Sequence, residues 1–465
     1  MQKVLTAEQM REVDRLTTEK YGIPSILLME NAAHAVARVI TEKLGGSVWR
    51  KEVLVLCGKG NNGGDGAAIA RLLHLSGADV EVVLLGKIAD CQGDARANFE
   101  GAKGIRLAFN EFSEPEEWDE WFGGQSKNWD VVVDAILGTG IDRPVEGLIA
   151  HVISNIAPDN SASRFLGQRI VVSVDIPSGL ISDAAETGDV HIESSITITL
   201  AAPKPANVLS PNASVGGELV VADIGVPLQL IKSVNSSLFL AEGWDADEWL
   251  VASEFSDASY KNKRGHALII AGSESYSGAA VLSGNAAMRS GVGLVTIATP
   301  SSSKDSVASR VLPEVMVKGV AETASGSIDE TAFEGLSVLL EKADSVAIGS
   351  GLSLNESTKK FVQRVVKNRR QVTIVDADAL TLLSPFAANG ESSVPLILTP
   401  HEGEFMRLLG TDDKDAIKDR VAAVREFATK HNVILVLKGE RVLIGEPGGK
   451  VVVNPTGNSG LGKAG

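Results

Sequence analysis

The sequence predicts an α/β fold divided between two domains, each built around a mainly parallel β-sheet. Short apolar runs typical of buried strands alternate with helical patterns along the chain. Several of these runs end in loops rich in glycine or aspartate. The pattern stops near residue 225 and restarts near residue 255, which predicts domains at 1–225 and 255–465 with a linker region at 226–254.

The elements of the first domain follow from local signals. Thr6 and Gln9 form a capping box that opens a helix, and apolar residues at helical spacing predict a second helix over 25–44. A βαβ unit and further parallel strands come next. The predicted ranges are strand 53–57, glycine loop 58–64, helix 65–76, and strands 80–85, 131–137, 170–174, 196–200 and 218–222.

The second domain repeats the pattern of strand, loop and helix. Its strands are predicted at 267–271, 294–298, 345–348, 372–375, 396–398 and 433–437. Since ligands bind at the carboxyl ends of parallel strands, the loops that follow these strands are the candidate sites in both domains.

Composition excludes several classes of function. The 44 basic and 59 acidic residues give a net charge of −15, which disfavours a nucleic-acid partner. Cys57 and Cys91 are too few for a disulfide framework or a zinc site. No apolar run reaches the ~18 residues of a membrane span, and residues 1–10 lack the apolar segment of a signal peptide. We therefore expect a cytoplasmic protein with neither a membrane nor a nucleic-acid partner.

The glycine loop has the strongest local signal. Gly58, Gly60 and Gly63 match the G-x-G-x-x-G pattern between a strand and a helix, where backbone N–H groups bind phosphate. The acidic ribose contact expected after the next strand is replaced by Gly86 and Lys87, which disfavours a redox dehydrogenase. The loop is either a tight turn that needs glycines with positive φ or a ligand loop. Its many glycines and its Asn-Asn pair favour the ligand loop.

Asp134 and Asp175 end two further strands of the first domain. Either one alone is compatible with a helix cap or a loop hydrogen bond. Beside a phosphate loop, the two together favour acid–base chemistry or cation binding.

Four segments in order give the first domain a family resemblance. Asn31-Ala32, residues 60–66, residues 134–140 and residues 175–179 resemble NAD(P)H-hydrate epimerase, whose domain is Rossmann-like with three α/β layers. The resemblance implies that Asp175 contacts the hydrated ring as the catalytic group, and that K⁺ is bound by Asn62, Asp134 and Ser178. It also implies two segments that hold the nucleotide substrate: Asn61, Asn62, Gly63, Gly64 and Asp65, and Gly138, Thr139, Gly140, Ile141, Asp142, Arg143 and Pro144.

Nine segments of the second domain carry a further resemblance: 264–266, 271–273, 276–280, 287–291, 349–352, 376–380, 399–404, 438–439 and 454–458. In this order they resemble ADP- or ATP-dependent NAD(P)H-hydrate dehydratase, a ribokinase-like fold, over residues 255–465. It implies that the hydrate contacts Ala271, Gly351 and His401. It also implies that the adenine nucleotide, with Mg²⁺, contacts Lys438, Gly439, Glu440, Arg441, Val442 and Gly465. A surface histidine with a local hydrogen bond is the alternative for His401. Asp376 and Asp378 are as compatible with helix capping as with ligand binding.

The sequence departs from this second family at its last residue. Gly465 aligns with the first glycine of a Gly-Ser/Thr-Gly-Asp loop whose aspartate activates the hydroxyl that is phosphorylated. The expectation is a C-terminally truncated chain with an incomplete dehydratase domain. Residues 457–463 imitate a phosphate-binding P-loop, but Ala464 stands where a hydroxyl residue is needed for Mg²⁺, which disfavours that interpretation.

The two resemblances together imply repair of hydrated nicotinamide nucleotides. The first domain would interconvert the R and S hydrates with K⁺, and the second would dehydrate the S form with Mg²⁺ and ADP or ATP. The expected partners are hydrated NADH or NADPH, the adenine nucleotide and further copies of the chain in a homo-oligomer. Two alternatives stay open: a ribokinase-type kinase of a small alcohol, and a non-catalytic scaffold that uses the epimerase-like domain.

Overall fold

The computed structural model describes residues 1–141, 143–156, 169–256, 259–387, 394–457 and 460. The chain divides into two compact units, Gln2–Leu240 and Ala241–Gly465, with Met1 grouped with the second. Among the described residues, no helix is long and apolar enough to cross a membrane.

The first unit contains a seven-stranded sheet between helices. Its helices are α1 (Ala7–Glu19), α2 (Ser25–Lys43), α3 (Asn61–Leu75), α4 (Gly93–Gly104), α5 (Pro115–Gly123), α6 (Gly147–Ile156), α7 (Pro205–Val208), α8 (Asn212–Val215) and α9 (Leu228–Ser233). Its strands are β1 (Gln2–Lys3), β2 (Glu52–Cys57), β3 (Asp79–Leu85), β4 (Ala108–Phe112), β5 (Val131–Ala135), β6 (Ile170–Val174), β7 (Ile196–Leu200), β8 (Glu218–Ala222) and β9 (Leu238–Leu240).

The sheet of the first unit runs in the order β4-β3-β2-β5-β6-β7-β8, with every neighbouring pair parallel. β1 and β9 pair with each other in antiparallel orientation. One apolar cluster packs α1 to α4 on one face of the sheet, and a second packs α5 and α6 on the other. The strand order reverses between β2 and β5, which is where α/β sheets open a crevice for ligands.

The second unit has the same alternation. Its helices are α10 (Gly243–Ala252), α11 (Ser277–Arg289), α12 (Lys304–Ala308), α13 (Ala332–Lys342), α14 (Glu356–Lys367), α15 (Asp378–Leu382), α16 (Glu402–Leu409) and α17 (Arg420–His431). Its strands are β10 (His266–Ile270), β11 (Leu294–Pro300), β12 (Met316–Val320), β13 (Ser345–Ile348), β14 (Val372–Val375), β15 (Leu396–Leu398), β16 (Ile434–Leu437), β17 (Val442–Gly445) and β18 (Val451–Asn454).

The sheet of the second unit runs in the order β18-β17-β16-β15-β14-β13-β10-β11-β12. The strands from β16 to β12 are parallel, whereas β17 and β18 are antiparallel to their neighbours. The prediction of mainly parallel sheets is confirmed. The antiparallel edge was not anticipated because its two hairpin strands carry no helix between them.

The structure differs from the sequence prediction at the linker region. Residues 226–254 contain α9, β9 and all of α10, and the two units divide between Leu240 and Ala241. The boundary was predicted there because the region lacks a glycine-loop motif, and that criterion does not reveal its helices and strand.

The glycine loop also differs, because α3 begins at Asn61 and not at residue 65. Neither Gly58 nor Gly63 adopts a left-handed backbone, and close packing explains both glycines. A Cβ atom on Gly63 would lie 1.7 Å from the carbonyl oxygen of Gly58, and one on Gly58 would lie 2.0 Å from that of Ile136. Part of the glycine signal is therefore a packing requirement, and the positive-φ turn is excluded for these two positions.

Candidate functional site

A cavity of about 630 Å³ lies in the first unit at the carboxyl ends of β2, β5 and β6. Its walls come from α1, the glycine loop, the loop after β5 and the polar residues that follow β6 and β7. The strand order places these loops together, as expected for the crevice at the reversal between β2 and β5.

Asp175 follows β6 and lies on the cavity wall with 8% of its surface exposed. Its backbone has a φ of 69°, a conformation that is uncommon outside glycine and costs about 1–3 kcal/mol. The backbone N–H donates to the Ile198 carbonyl (2.8 Å), and the Asn207 side-chain amide donates to the Asp175 carbonyl (3.1 Å). The surrounding strands thus fix the direction of this carboxylate.

Lys204 is the cation that faces Asp175. It is 1% exposed, and its Nζ donates to Asp175 Oδ1 at 2.5 Å, to Thr199 Oγ1 at 3.0 Å and to the Leu200 carbonyl at 2.9 Å. Thr199 Oγ1 and the Leu200 N–H also lie 3.2 Å from Asp175 Oδ1. The hydrogen bonds that described residues donate to this carboxylate all end on Oδ1, so Oδ2 is the oxygen available to a ligand.

Asp134 ends β5 and is completely buried. It accepts hydrogen bonds from Ser173 Oγ (2.7 Å), from the Ser178 N–H (2.8 Å) and hydroxyl (2.5 Å), and from the Ile136 N–H (3.3 Å). Burial raises the pKa of this carboxyl, and the hydrogen bonds oppose the shift. Ser178 Oγ also accepts from the Leu137 N–H (2.9 Å), so Asp134 and Ser178 join the loops after β5 and β6.

Asn62 contributes an oxygen without a partner. Its Nδ2 donates to the Leu137 carbonyl (2.9 Å), while its Oδ1 is buried with no hydrogen-bond partner among the described residues. A buried acceptor without a hydrogen-bond partner lowers the free energy of unfolding, so this oxygen is a candidate ligand for a cation or a hydrogen-bond donor. Asn62 stands in the first turn of α3, whose N-cap Gly60 supplies no side-chain cap, so backbone N–H groups remain available there as well.

Two further carboxyl groups belong to the cavity. Asp65, on α3, is 7% exposed, and burial together with the negative charges of Asp175 and Asp14 raises its pKa well above the ordinary value. Asp14, on α1, is reached by solvent on the cavity wall. Surrounding protein raises the pKa of Asp14 to about 6 by reducing its hydration, Lys204 opposes this, and Asp175 adds to it.

The structure brings most of the predicted epimerase residues together. Asn61, Asn62, Asp65, Asp175 and the segment 138–141 line the cavity. Gly63 and Gly64 are buried behind the wall, and Arg143 and Pro144 are exposed outside it. Asp142 lies outside the described residues.

Sequence reasoning missed Asp14, Arg11 and Lys204, all of which line the cavity. Asp14 and Arg11 stand on the first helix, where a charged residue ordinarily indicates a solvent-facing surface. Lys204 follows the apolar strand β7 within a small-residue segment. A lone lysine four residues after a buried strand was the one sequence signal that could have indicated a functional side chain here.

The second unit gathers polar side chains at the carboxyl ends of β14, β15 and β16. Lys438 Nζ lies 2.7 Å from Asp376 Oδ1 and 3.9 Å from Glu404 Oε2, and Thr399 Oγ1 donates to the same Asp376 oxygen (2.8 Å). His401 is the N-cap of α16: its Nδ1 accepts from the N–H groups of residues 403 and 404. The local hydrogen bond considered for His401 is therefore present, while its Nε2 stays exposed beside Glu404.

The other predicted dehydratase residues that the structure describes follow strands of the same sheet. Ala271 is buried directly after β10, and Gly351 has a φ of 70° in the loop after β13. Lys438 to Val442 form the tight connection between β16 and β17, and Gly465 lies outside the described residues. Neither Asp376 nor Asp378 caps α15, because its N-cap is Ala377. Asp378 instead accepts from the Ser353 N–H (2.9 Å).

Within the described residues, no three His, Cys, Asp or Glu side chains stand close enough to hold a metal ion together. Cys57 and Cys91 are both free and buried.

Comparison with known proteins assigns a family to each unit. Residues 25–206 match the family described as YjeF-related protein N-terminus, and residues 267–465 match NAD(P)H-hydrate dehydratase. The bifunctional NAD(P)H-hydrate repair enzyme Nnr of Moorella thermoacetica is 37% identical over 99% of this chain and 85% of that protein. The bifunctional NAD(P)H-hydrate repair enzyme Nnr of Thermofilum pendens is 34% identical over 100% of this chain and 85% of that protein. A dehydratase structure from Bacillus subtilis, co-crystallized with ATP/Mg²⁺, is 34% identical over 46% of this chain and 71% of that one, with a TM-score of 0.40.

Proposed function

Because the chain belongs to the family of bifunctional NAD(P)H-hydrate repair enzymes, we propose that it restores damaged nicotinamide nucleotides in two steps. Residues 1–225 interconvert the R and S epimers of hydrated NADH or NADPH. Residues 255–465 then dehydrate the S epimer to NAD(P)H at the expense of ADP or ATP with Mg²⁺. The observation that supports the first step most directly is the cavity in which a fixed carboxylate faces a phosphate-binding loop.

Epimerisation through a ring-opened species requires removal of the proton from the hydroxyl group of the hydrated ring, so that a carbonyl forms as the bond from that carbon to the ring nitrogen breaks. Asp175 is directed into the cavity by its backbone and by Lys204, with Oδ2 available to substrate. We therefore assign Asp175 as the base that accepts the hydroxyl proton. The N–H groups at the start of α3 and the segment 138–144 bind the anionic nucleotide portion.

K⁺ fits the residues that the resemblance proposes for it. Asn62 Oδ1 is buried without a partner, and Ser178 and Asp134 supply hydroxyl and carboxylate oxygens close to the same loops. These are the hard oxygen ligands that such cations prefer. Bound there, the ion would neutralise negative charge of the dinucleotide.

The dehydration site is assigned to the carboxyl ends of β14 to β16. Lys438 carries a positive charge beside Asp376 and Glu404 at the hairpin proposed for the adenine nucleotide. Phosphorylation of the ring hydroxyl by ADP or ATP turns it into a leaving group, and its elimination regenerates the dihydronicotinamide. The proposed hydrate contacts are Ala271, Gly351 and His401, and the proposed nucleotide contacts are Lys438, Gly439, Glu440, Arg441, Val442 and Gly465.

The alternatives have less support. A small-alcohol kinase leaves the first unit unexplained, whereas relatives of both units occur in one polypeptide over nearly the whole chain. A scaffold has no use for the unsatisfied Asn62 oxygen or the buried Asp175–Lys204 pair. The cytoplasmic location and the homo-oligomeric state stay proposals, and light scattering after size-exclusion chromatography tests the second.

One incubation tests both activities. The chain is mixed with unequal amounts of R and S NADH hydrate, K⁺, Mg²⁺ and ADP. The epimer ratio is followed by chromatography and NADH by its absorbance. We expect the ratio to relax and NADH to form. Relaxation without NADH confines the activity to the first unit, and no change in either supports the scaffold.

A further inference from the structure

We propose that Asp14 is a second catalytic carboxyl group of the epimerase, one that exchanges a proton with the ring nitrogen while Asp175 exchanges one with the hydroxyl. This inference rests on the proposed function of the first unit. It assigns a role to a residue outside the segment 25–206 that matches the family model.

The placement of Asp14 follows from the geometry of α1. Met10, Arg11, Asp14 and Thr18 line the cavity, at a spacing that puts them along one side of the helix. Ala7, Val13 and Thr17 are buried on the adjoining side. The capping box of Thr6 and Gln9 fixes the start of the helix, so the face that carries Asp14 is held in register against the cavity.

Asp14 has no hydrogen bond and no ion pair with the described residues, although it stands among charged groups. Glu12, on the solvent side of the same helix, pairs with Arg15, whereas the carboxyl group of Asp14 is free to meet a ligand in the cavity. The charged groups that line the cavity with Asp14 come from every wall: Arg11, Lys59, Asp65, Asp94, Asp175 and Lys204.

The environments of Asp14 and Asp175 differ. Lys204 donates to Asp175 Oδ1 at 2.5 Å, whereas no described residue donates a hydrogen bond to Asp14. Reduced hydration at the cavity wall raises the pKa of Asp14 to about 6, Asp175 contributes in the same direction, and Lys204 opposes the shift. Two carboxyl groups placed in different environments of one site are suited to serve as an acid and a base.

The chemistry needs both groups at once. Asp175 accepts the proton of the C6 hydroxyl, the O–H electron pair forms the carbonyl, the C6–N1 bond breaks, and N1 takes a proton from Asp14. The product is a ring-opened aldehyde with an N–H group. After rotation about the bond to the aldehyde carbon, N1 attacks the opposite face, Asp14 recovers its proton and Asp175 returns its own to the oxygen. The cycle conserves atoms, charge and protons.

Asp65 is the competing candidate for this role, and access to solvent distinguishes the two. Asp65 is 7% exposed at the base of the glycine loop, whereas Asp14 is in contact with solvent at the cavity wall. A group that exchanges protons with bulk water can restore its protonation state between turnovers. Asp14 meets this requirement and also faces the site.

The test compares Asp14→Asn with Glu12→Gln in the full chain. Both changes remove one carboxylate from α1, and Glu12 lies on the exposed side, so Glu12→Gln should epimerise at the wild-type rate. For Asp14→Asn we expect the rate of R:S relaxation to fall at least about 100-fold, with little change in KM. Its thermal midpoint above pH 7 should be equal to that of the wild type or higher, because a carboxylate whose ionised form is poorly hydrated at that position has been removed.

The pH–rate profile separates catalysis from structure. The wild type should lose activity as Asp14 ionises with rising pH, and Asp14→Glu should keep this alkaline limb at a reduced rate. Asp14→Asn should lack the limb. A wild-type rate in Asp14→Asn, or a slow variant that keeps the alkaline limb, overturns the proposal. If the wild type itself does not relax the epimer ratio, the proposed function fails instead.

Discussion

Asp175 combines two properties that make it a clean probe of the first unit. Its left-handed backbone disfavours most residues, but asparagine tolerates that conformation well. We expect Asp175→Asn to fold normally and to slow R:S relaxation by about 10²–10⁴-fold, since an amide cannot accept the hydroxyl proton. Asp189→Asn, an exposed change outside the cavity, is the control. Relaxation at the wild-type rate in Asp175→Asn would exclude it as the base.

Lys204 acts through Asp175, because the described hydrogen bonds of its Nζ end on Asp175, Thr199 and Leu200. Lys204→Met keeps most of the side-chain volume and removes the charge. The Asp175 carboxylate then loses the donor that fixes its direction, so the rate of R:S relaxation should fall by about 10–100-fold with little change in KM. Loss of a buried pair also costs about 3–5 kcal/mol of unfolding free energy. Relaxation at the wild-type rate, in variant protein that circular dichroism shows to be folded, would contradict this role.

The residues of the site differ in how far sequence could predict them. Asp134 and Asp175 end apolar strands, and their position in a parallel sheet determines where they meet. Asp14 lies on an amphipathic helix, and which side of such a helix faces a cavity depends on packing that local patterns do not encode. Lys204 could not be predicted because its role depends on a contact with Asp175, which lies 29 residues away in the sequence.

At the scale of elements, the glycine loop shows why a correct prediction can rest on a partly wrong reason. The strand, loop and helix order was predicted correctly, and the loop lines the cavity. However, Gly58 and Gly63 are needed because two backbone segments approach each other, not because a turn demands positive φ. The sequence shows where a glycine stands, but it does not show whether close packing or a positive φ requires it.

The connection into α15 stores strain that can be measured. Ala377 has φ 50° and ψ −124°, a combination open mainly to glycine. We expect Ala377→Gly to stabilise the second unit by about 1 kcal/mol, the relieved strain less the entropy cost of glycine. The control is Ala379→Gly inside α15, which should destabilise it by about 1 kcal/mol. Urea unfolding measures both, and a loss of stability in Ala377→Gly would show that the backbone is not strained.

At the scale of the whole molecule, the chain consists of two compact units, each built around a mainly parallel sheet. Division into two α/β units followed from the restart of the strand pattern. The exact division did not, because α9, β9 and α10 carry no motif that marks the unit to which they belong.

Calorimetry can test whether the units respond to ligands separately. NADP⁺ with K⁺ should raise the unfolding temperature of one transition, and ADP with Mg²⁺ that of the other. At a free concentration 100 times Kd, each ligand adds about 2.7 kcal/mol to the unit that binds it. A single transition that either ligand shifts in full would refute separate responses.

The side chains of Asp134 and Ser178 have a consequence for motion. They join the loop after β5 to the loop after β6, because the Leu137 N–H donates to Ser178 Oγ and the Ser178 N–H donates to Asp134. Neither loop can leave its place without breaking the bonds of the other, so the two should open together. Hydrogen–deuterium exchange would then give Leu137 and Ser178 a common opening free energy, and an occupied cavity would slow both amides by the same factor. Two amides, 41 residues apart, would thereby report on one event.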